Sequence, residues 1–376
     1  MFIITNRNIV KENGTDFSAI GDKCNTNGPA ELRILEVNRV GAKWKLRVLP
    51  NVITEKMRIE AGIPVQPKVP GTDEREPVFA SRYAFERLTA QVRDADVPKH
   101  VVFYVHGFNN TLQDVAERCD GIAQNFGVEV VAFSWPANGG GVKGVASYLS
   151  DKRDAQASVV AFDRALDKAR TLVQEMRQAA IEKILKKMRR AEGADPDGAD
   201  RENDEKFRER LTAAAEKNCP VRINLMLHSM GNYLLERTLK STALRGHLPL
   251  FDNILMCAAD VNNPEHEAWV DGLEARNRLY VTINEDDSAL RASRIKGGDE
   301  QKARLGHWTR NLLSKQAAYV DFTNAQNVGS AHAYFEGNAL ANEKVRTFFA
   351  AALQGERAEQ AAALAFDAAR NLYVVK

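Results

Sequence analysis

The chain has 376 residues, of which 44% are hydrophobic and 27% are charged, so it can bury a large core in one α/β domain with insertions or in two domains. We favour one domain. The 52 Lys and Arg residues against 50 Asp and Glu leave a formal net charge of +2, and this balance creates no global field toward nucleic acid or a membrane. The composition therefore excludes a strongly basic nucleic-acid-binding protein, and any electrostatic partner has to be recognised locally.

The cysteines and the first residues indicate the cellular compartment of the protein. The four cysteines, Cys24, Cys119, Cys219 and Cys257, lie far apart and form no CxxC pair, which argues for reduced thiols and against a structural zinc site. No pair of histidines or cysteines has metal-ligand spacing. The start lacks a basic flank followed by an apolar run of signal-peptide length, and about 18 apolar residues never occur in succession. We expect a soluble, cytoplasmic protein without a bound metal.

In chain order, residues 1–5 and 44–49 have the pattern of an antiparallel entry hairpin or sheet edge. Four prolines then predict a surface segment until a helix near 82–93. Apolar runs of strand length follow, and helical patterns separate most of them. This alternation is typical of a mostly parallel sheet with helices on both faces. The predicted strands are 101–105, 128–134, 221–227, 253–258, 279–283 and, more weakly, 319–323.

A long helical segment lies between the second and third of these strands. Apolar residues recur every three or four positions from about 155 to 190, which predicts one long amphipathic helix or two in series. An acidic stretch at 192–205 is typical of a mobile loop, and a second helix is expected over about 204–217. We interpret residues 171–218 as an inserted helical arm or lid.

The arm divides the predicted domain into successive parts. Residues 1–96 would form an N-terminal extension and sheet edge, and residues 351–376 a C-terminal tail. The core would comprise residues 97–170 before the arm and 219–350 after it.

The apolar run from Ile223 to Leu227 stops at His228-Ser229-Met230-Gly231, and a helical pattern follows. This sequence predicts a strand, a tight turn and a helix, with Ser229 at the apex. Such a turn lifts the serine hydroxyl clear of the sheet. The helix that follows offers its free N–H groups and positive dipole end to a developing negative charge.

A serine hydroxyl becomes a good nucleophile only when a histidine takes its proton and a carboxylate orients that histidine. Asp287 lies in an acidic loop after the strand at 279–283, and His332 lies in the loop after the strand at 319–323. Parallel strands end at the same edge of a sheet, so both loops should open beside Ser229. The candidate catalytic residues are therefore Ser229, Asp287 and His332, in that order.

These residues belong to a wider set of motifs that resembles the α/β-hydrolases, and more closely a bacterial, serine-esterase-like branch of them. The set spans about 100–335 and includes Tyr104-Val105-His106-Gly107-Phe108-Asn109, Phe133-Ser134-Trp135-Pro136, Tyr148-x-x-Asp151, His228-Ser229-Met230-Gly231-Asn232, Asp287-x-Ala289-Leu290 and Ala331-His332-x-Tyr334. The resemblance implies hydrolysis of an ester or related acyl bond without a metal or organic cofactor. One residue departs from the usual pattern, because Leu227 stands where the family has a glycine two residues before the nucleophile.

The resemblance also implies an oxyanion hole formed by the backbone N–H groups of Phe108 and Met230, with Gly107 allowing the backbone to approach. Two aromatic residues, Phe108 and Trp135, are candidates for the substrate cleft, and ordinary packing under a loop is the alternative for both.

Several neighbouring residues keep other interpretations open. His106 and Asp260 are further candidates for the substrate pocket, together with Gly107 and Trp135, although His106 is better explained as a residue that shapes its loop. Asp286 and Asp260 are alternatives to Asp287 as the acid. His307 and His266 are weaker candidates for the base, and His228 should point away from the nucleophile.

Two further patterns have ordinary explanations. Gly139-Gly140-Gly141-Val142-Lys143-Gly144 satisfies GxGxxG, but Trp135-Pro136 separates it from the strand and no strand-ending acid follows at the distance that dinucleotide binding requires. We interpret it as a hinge. The basic residues of 183–190 could meet anionic lipid, but a charge run is usually the solvated face of a helix.

The sequence thus predicts a serine hydrolase that cleaves a small-molecule or lipid carboxylic ester through an acyl-enzyme, without binding nucleic acid. One alternative is a lipase-like or acyltransferase-like enzyme whose 171–190 helix senses a membrane surface, which we do not favour. Another is a non-catalytic interaction module on a hydrolase scaffold. Pocket shape decides specificity, and the fold alone does not supply it.

Overall fold

The computed structural model describes residues 1–93, 100–137, 144–191, 221–241, 250–295 and 302–376. Several predicted features lie outside these ranges: nearly all of the glycine-rich run at 139–144, the acidic stretch at 192–205, the helix at 204–217, and Cys219. The three cysteines that the structure describes, Cys24, Cys119 and Cys257, are free thiols.

A large sheet forms the centre of the molecule, and its described strands number eleven. They are β1 (Phe2–Thr5), β4 (Arg33–Val40), β5 (Lys43–Val48), β6 (Val101–Val105), β7 (Glu129–Ser134), β8 (Ile223–His228), β9 (Asn253–Cys257), β10 (Arg278–Ile283), β11 (Ala317–Asp321), β12 (Ala365–Asp367) and β13 (Leu372–Val374). Two further strands, β2 (Arg7–Ile9) and β3 (Ile20–Cys24), pair only with each other.

The strands follow the order β12-β13-β11-β10-β9-β8-β6-β7-β1-β4-β5. All pairings from β13 to β1 are parallel, whereas β4 and β12 run against their neighbours. The central strands β6, β8 and β9 are buried along their whole length, as expected for continuous apolar runs covered on both faces. The mostly parallel sheet confirms the predicted α/β class.

Helices cover both faces of the sheet. They are α1 (Glu55–Glu60), α2 (Ala80–Arg93), α3 (Leu112–Phe126), α4 (Gly144–Ala157), α5 (Val159–Ala191), α6 (Gly231–Ser241), α7 (Glu267–Val270), α8 (Ser288–Ile295), α9 (Glu343–Leu353) and α10 (Ala358–Ala361), with 3-10 turns at Phe17–Ala19, Leu305–His307 and Gly337–Ala341. One core contains the buried side chains of α2, α5 and α6, and a second core on the other face contains those of α3 and α9.

Helix α5 confirms the long helix expected in this region. It has 33 residues, so at 1.5 Å per residue it is roughly 50 Å long. Its first half contributes Phe162, Leu166 and Val173 to the core. No helix in the described ranges is both long and apolar enough to cross a membrane.

The two ends of the chain differ from the expectation. Residues 1–5 and 44–49 do not pair with each other, because β4 lies between them and β1 lies inside the sheet, parallel to β7. The expected C-terminal tail also enters the sheet, where β13 pairs with β11. Glu359 anchors this segment by accepting hydrogen bonds from Arg278 and Tyr280.

Candidate active site

The strand order places two loops side by side at the centre of the sheet. The chain leaves β6 for β7 on one side and later returns to β8 on the other side of β6. At such a switch point, the loops after neighbouring parallel strands separate and leave a crevice at the carboxyl edge. The loop at 106–110 follows β6 and the Ser229 turn follows β8, so both lie at this crevice.

The Ser229 turn has the backbone conformation of a sharp strand-to-helix junction. Ser229 has a φ of 53°, a left-handed value that costs free energy for a residue with a side chain. Its N–H donates to the carbonyl of Cys257 at 2.9 Å, and its own carbonyl accepts from the N–H groups of Asn232 and Asp260 at 3.1 and 3.2 Å. Bonds to the neighbouring strand and to helix α6 therefore hold the strained residue in place.

Two glycines allow the β6 and β8 loops to approach each other. A Cβ atom added at Gly107 would lie 2.7 Å from the Cβ of Ser229, and one added at Gly231 would lie 2.8 Å from the carbonyl oxygen of Val105. Leu227, which replaces the usual glycine, is fully buried in the core, and its carbonyl accepts a hydrogen bond from the Asn232 side chain. The leucine is thus compatible with the tight turn.

His332 and Asp287 lie in direct contact. The Nδ1 of His332 is 2.6 Å from Oδ2 of Asp287, whose carboxylate is fully buried. The other oxygen of Asp287 accepts from the N–H groups of Ala289 and Leu290 at the start of α8. Because a carboxylate accepts, the proton of a neutral His332 is assigned to Nδ1, which leaves Nε2 as the basic nitrogen.

His228 connects the loop of His332 to the Ser229 turn. Its Nε2 lies 3.3 Å from the carbonyl oxygen of His332, and the two imidazole rings are 4.6 Å apart. Burial lowers the pKa of His228 well below its usual value, so the ring is neutral near neutral pH. The structure brings Asp287 and His332 together directly, and it brings Ser229 to them through its neighbour in the chain.

One alternative acid, Asp260, has other partners. Asp260 is buried and forms an ion pair with Arg304 at 3.1 Å, and it also accepts hydrogen bonds from Tyr148 and Ser293. Asp286, next to Asp287, uses its N–H to bond the Asn284 side chain.

One alternative base, His266, is bonded to groups outside the candidate site. The Nε2 of His266 is 2.5 Å from the Tyr319 hydroxyl, and its Nδ1 is 2.6 Å from the carbonyl oxygen of Asn263. His307 is buried in the 3-10 turn at Leu305–His307, which lies near Asp287. Among the described residues, neither of its ring nitrogens has a hydrogen-bond partner.

His106 and Trp135 pack together beneath the loop at 106–110. Both are fully buried, and their rings stack with centroids 5.1 Å apart. The backbone N–H of Trp135 donates to Nε2 of His106 at 3.2 Å, so the proton of a neutral His106 is on Nδ1. This Nδ1–H donates to the carbonyl of Gly107 at 2.8 Å. This geometry favours a loop-shaping role for both residues over a position in the wall of an open cleft, whereas the ring of Phe108 is partly exposed and contacts Tyr148.

The hydrogen bond to Gly107 orients the next N–H group. In a trans peptide, the carbonyl of Gly107 and the N–H of Phe108 point in opposite directions in one plane, so fixing the carbonyl also fixes the N–H. Asn110 fixes the following peptide, since its Nδ2 donates to the carbonyl of Phe108 at 2.6 Å. The carboxylate of Asp151 accepts from the N–H of Asn109 at 3.1 Å. Sequence reasoning missed the role of Asn110, which no motif signals.

A cavity of about 520 Å³ lies elsewhere, between the sheet and helices α2 and α5. Its apolar lining includes Phe2, Phe103 and Leu172, and it contains none of the candidate catalytic residues. Within the described ranges, no group of three or more His, Cys, Asp and Glu side chains is arranged to hold a metal ion.

A sequence comparison identifies the family. Residues 82–184 and 197–357 match the model of the family described as "alpha/beta hydrolase of unknown function (DUF900)". The chain belongs to this family. The matched segments of the DUF900 protein include β6, β8 and the candidate residues Ser229, Asp287 and His332, but not residues 1–81. No curated protein and no solved structure matches the chain.

The close approach at Gly107 predicts opposite effects for two Gly→Ala substitutions in the DUF900 protein. Gly107→Ala should lower the free energy of unfolding by about 1–3 kcal/mol, because the new methyl group meets the Ser229 turn. Gly121→Ala in α3 should raise it by up to about 1 kcal/mol, since nothing lies within 4 Å of the added Cβ. Urea denaturation measures both, and equal effects of the two substitutions would contradict the tight contact.

The buried histidines should make the protein less stable in acid. Burial lowers the pKa of His106 to about 3, against about 6.5 in an unfolded chain, so between these values the unfolded state binds one more proton. Stability should therefore fall as the pH drops from about 6.5. We expect His106→Asn to reduce the slope of unfolding free energy against pH, between pH 6 and 4, by roughly one proton. Urea denaturation across this range measures the slope for wild type and for His106→Asn. Equal slopes would contradict the account, because they would show that the folded and unfolded states bind the same number of protons at His106.

Proposed function

We propose that this protein is a serine hydrolase that cleaves a carboxylic ester through an acyl-enzyme. The observation that carries the proposal is the 2.6 Å hydrogen bond between His332 and the buried Asp287, at the sheet edge where Ser229 occupies a strained turn. A histidine oriented by a carboxylate, beside a serine on such a turn, is the arrangement that acyl transfer requires. Membership of the DUF900 family is consistent with a hydrolase.

In the proposed reaction, Oγ of Ser229 attacks the ester carbonyl and Nε2 of His332 takes the hydroxyl proton. Asp287 holds the imidazole in the required tautomer and stabilises its cationic form. His332 then donates the proton to the departing alcohol, which leaves an acyl group on Ser229. A water molecule, deprotonated by the same imidazole, hydrolyses the acyl-enzyme and restores the serine.

The N–H groups of Phe108 and Met230 would stabilise the oxyanion in this reaction. Met230 precedes Gly231, the first residue of α6, so its N–H belongs to the helix end that carries positive partial charge. The N–H of Phe108 belongs to the peptide that His106 orients. Removing one such donor typically costs about 3–4 kcal/mol of transition-state stabilisation. The arm-based alternatives depend on a segment whose residues 192–218 lie outside the described ranges.

Labelling with a fluorophosphonate probe tests the nucleophile. We expect the folded wild type to form a covalent adduct at Ser229, because the probe reacts with serines activated by a histidine. Ser229→Ala should abolish the adduct. Ser288→Ala, which removes an exposed serine next to Asp287, should retain it. Mass spectrometry of the intact protein and its peptides measures both outcomes.

A wild type that neither labels nor hydrolyses p-nitrophenyl esters of graded chain length would overturn the proposal. Labelling that persists in Ser229→Ala would assign the nucleophile to another residue. A preference for one chain length would define the substrate class.

A further inference from the structure

A buried arginine supports the loop at 106–110 from the beginning of the chain. Arg7 is the first residue of β2, and only 2% of its surface is exposed. Its Nε donates to the hydroxyl of Ser134 at 3.0 Å, and its Nη2 donates to the backbone carbonyl of Asn110 at 2.9 Å. In the described part of the chain, no carboxylate forms an ion pair with this guanidinium.

A buried arginine that makes no direct ion pair is expensive for stability, even where more distant aspartates attract its charge. Removing a charged group from water costs several kcal/mol even after the surroundings relax, and an apolar residue of similar volume is often the more stabilising choice. Burial lowers the pKa of Arg7 to about 10, so the side chain still carries its charge at neutral pH. Stability therefore does not explain why an arginine is present at this position. Its two hydrogen bonds do suggest a reason, because they hold the loop that contains Asn110 and the segment of Ser134 that leads to Trp135.

Asn110 is the point at which this support reaches the candidate oxyanion hole. Its side-chain nitrogen donates to the carbonyl groups of Phe108 and Gly107 at 2.6 and 3.3 Å. Its side-chain oxygen accepts from Arg118, and its backbone carbonyl accepts from Arg7. Asn110 is thus held by two guanidinium groups, while it holds the peptide that contains the N–H of Phe108 and the peptide that follows it.

We propose that Arg7 is a positioning residue for the oxyanion hole. Arg7 fixes Asn110, and Asn110 in turn fixes the direction of the Phe108 N–H. This inference rests on the proposed function. A planar guanidinium can serve both acceptors at once because its donors diverge at fixed angles, and a lysine ammonium has no such fork. The family match begins at residue 82. The Arg7 side chain is therefore a support for the site that comes from outside the matched region.

Two substitutions at Arg7 test the inference in the full chain. Arg7→Met keeps an unbranched side chain of similar length but removes every donor. Arg7→Lys keeps the charge but removes the fork. Because a displaced donor weakens transition-state binding more than ground-state binding, both should lower kcat about 10- to 100-fold with KM within about threefold of wild type. Both should also weaken the binding of a trifluoromethyl ketone, which mimics the tetrahedral intermediate. The loss of affinity should be proportional to the loss of kcat/KM.

Thr5→Val is the matched control for a merely structural role. The Thr5 hydroxyl donates to the carbonyl of Ser134 and accepts from the N–H of Arg7, so its loss loosens the same segment without removing a bond to Asn110. We expect it to lower the melting temperature while kcat and ketone affinity stay within about twofold of wild type.

The outcomes separate this inference from the proposed function. An active wild type with Arg7 variants of unchanged kcat would overturn the positioning role alone, as would an equal loss of kcat in Thr5→Val. An inactive wild type would overturn the proposed function and this inference with it. If Arg7→Met does not fold, Arg7→Lys carries the test, because it retains the charge and most of the volume.

Discussion

The candidate site depends on the hydrogen bond between the imidazole of His332 and the carboxylate of Asp287. A carboxylate without solvent contact needs hydrogen-bond partners, because an unpaired charge in the protein interior is costly. Asp287 receives two such bonds from the first N–H groups of α8 and a third from His332. Losing the imidazole would leave the buried charge one donor short. The loop of His332 is therefore fixed at the sheet edge by the same contact that would make the imidazole a base.

The other half of the site is set by backbone geometry. The left-handed turn at Ser229 and the loop at 106–110 approach so closely that a side chain at Gly107 would overlap the serine. Buried polar side chains hold that loop, with His106 bonded to one of its peptides and Asn110 to the next. Such fully bonded buried networks hold a single geometry, which suits N–H groups that have to be in place before negative charge develops.

The sequence was sufficient to predict the strands at the centre of the sheet and the turn that carries Ser229 between a strand and a helix. It was insufficient for the buried polar contacts that support this turn and the loop at 106–110. The central strands are continuous apolar runs, so their positions were predicted to within two residues, and the motif around Ser229 is local. The predicted pairing of residues 1–5 with 44–49 was wrong, and strand β13 was not predicted, because the partner of a short strand is chosen by contacts distant in sequence. Arg7 and Ser134 are 127 residues apart, and no spacing rule connects them. The sequence favoured Asp287 as the acid but left Asp286 open, since neighbours in a loop differ mainly in the direction of their side chains.

The most direct test of the Asp287–His332 pair is the second-order rate constant for fluorophosphonate labelling of Ser229 in wild type, Asp287→Asn and Asp286→Asn. Asparagine has nearly the same shape as aspartate, but it neither stabilises an imidazolium nor fixes the basic tautomer. We expect Asp287→Asn to slow labelling by about three to four orders of magnitude, whereas Asp286→Asn should stay within about threefold of wild type. Equal rates in all three proteins, or a large loss in Asp286→Asn alone, would contradict the account.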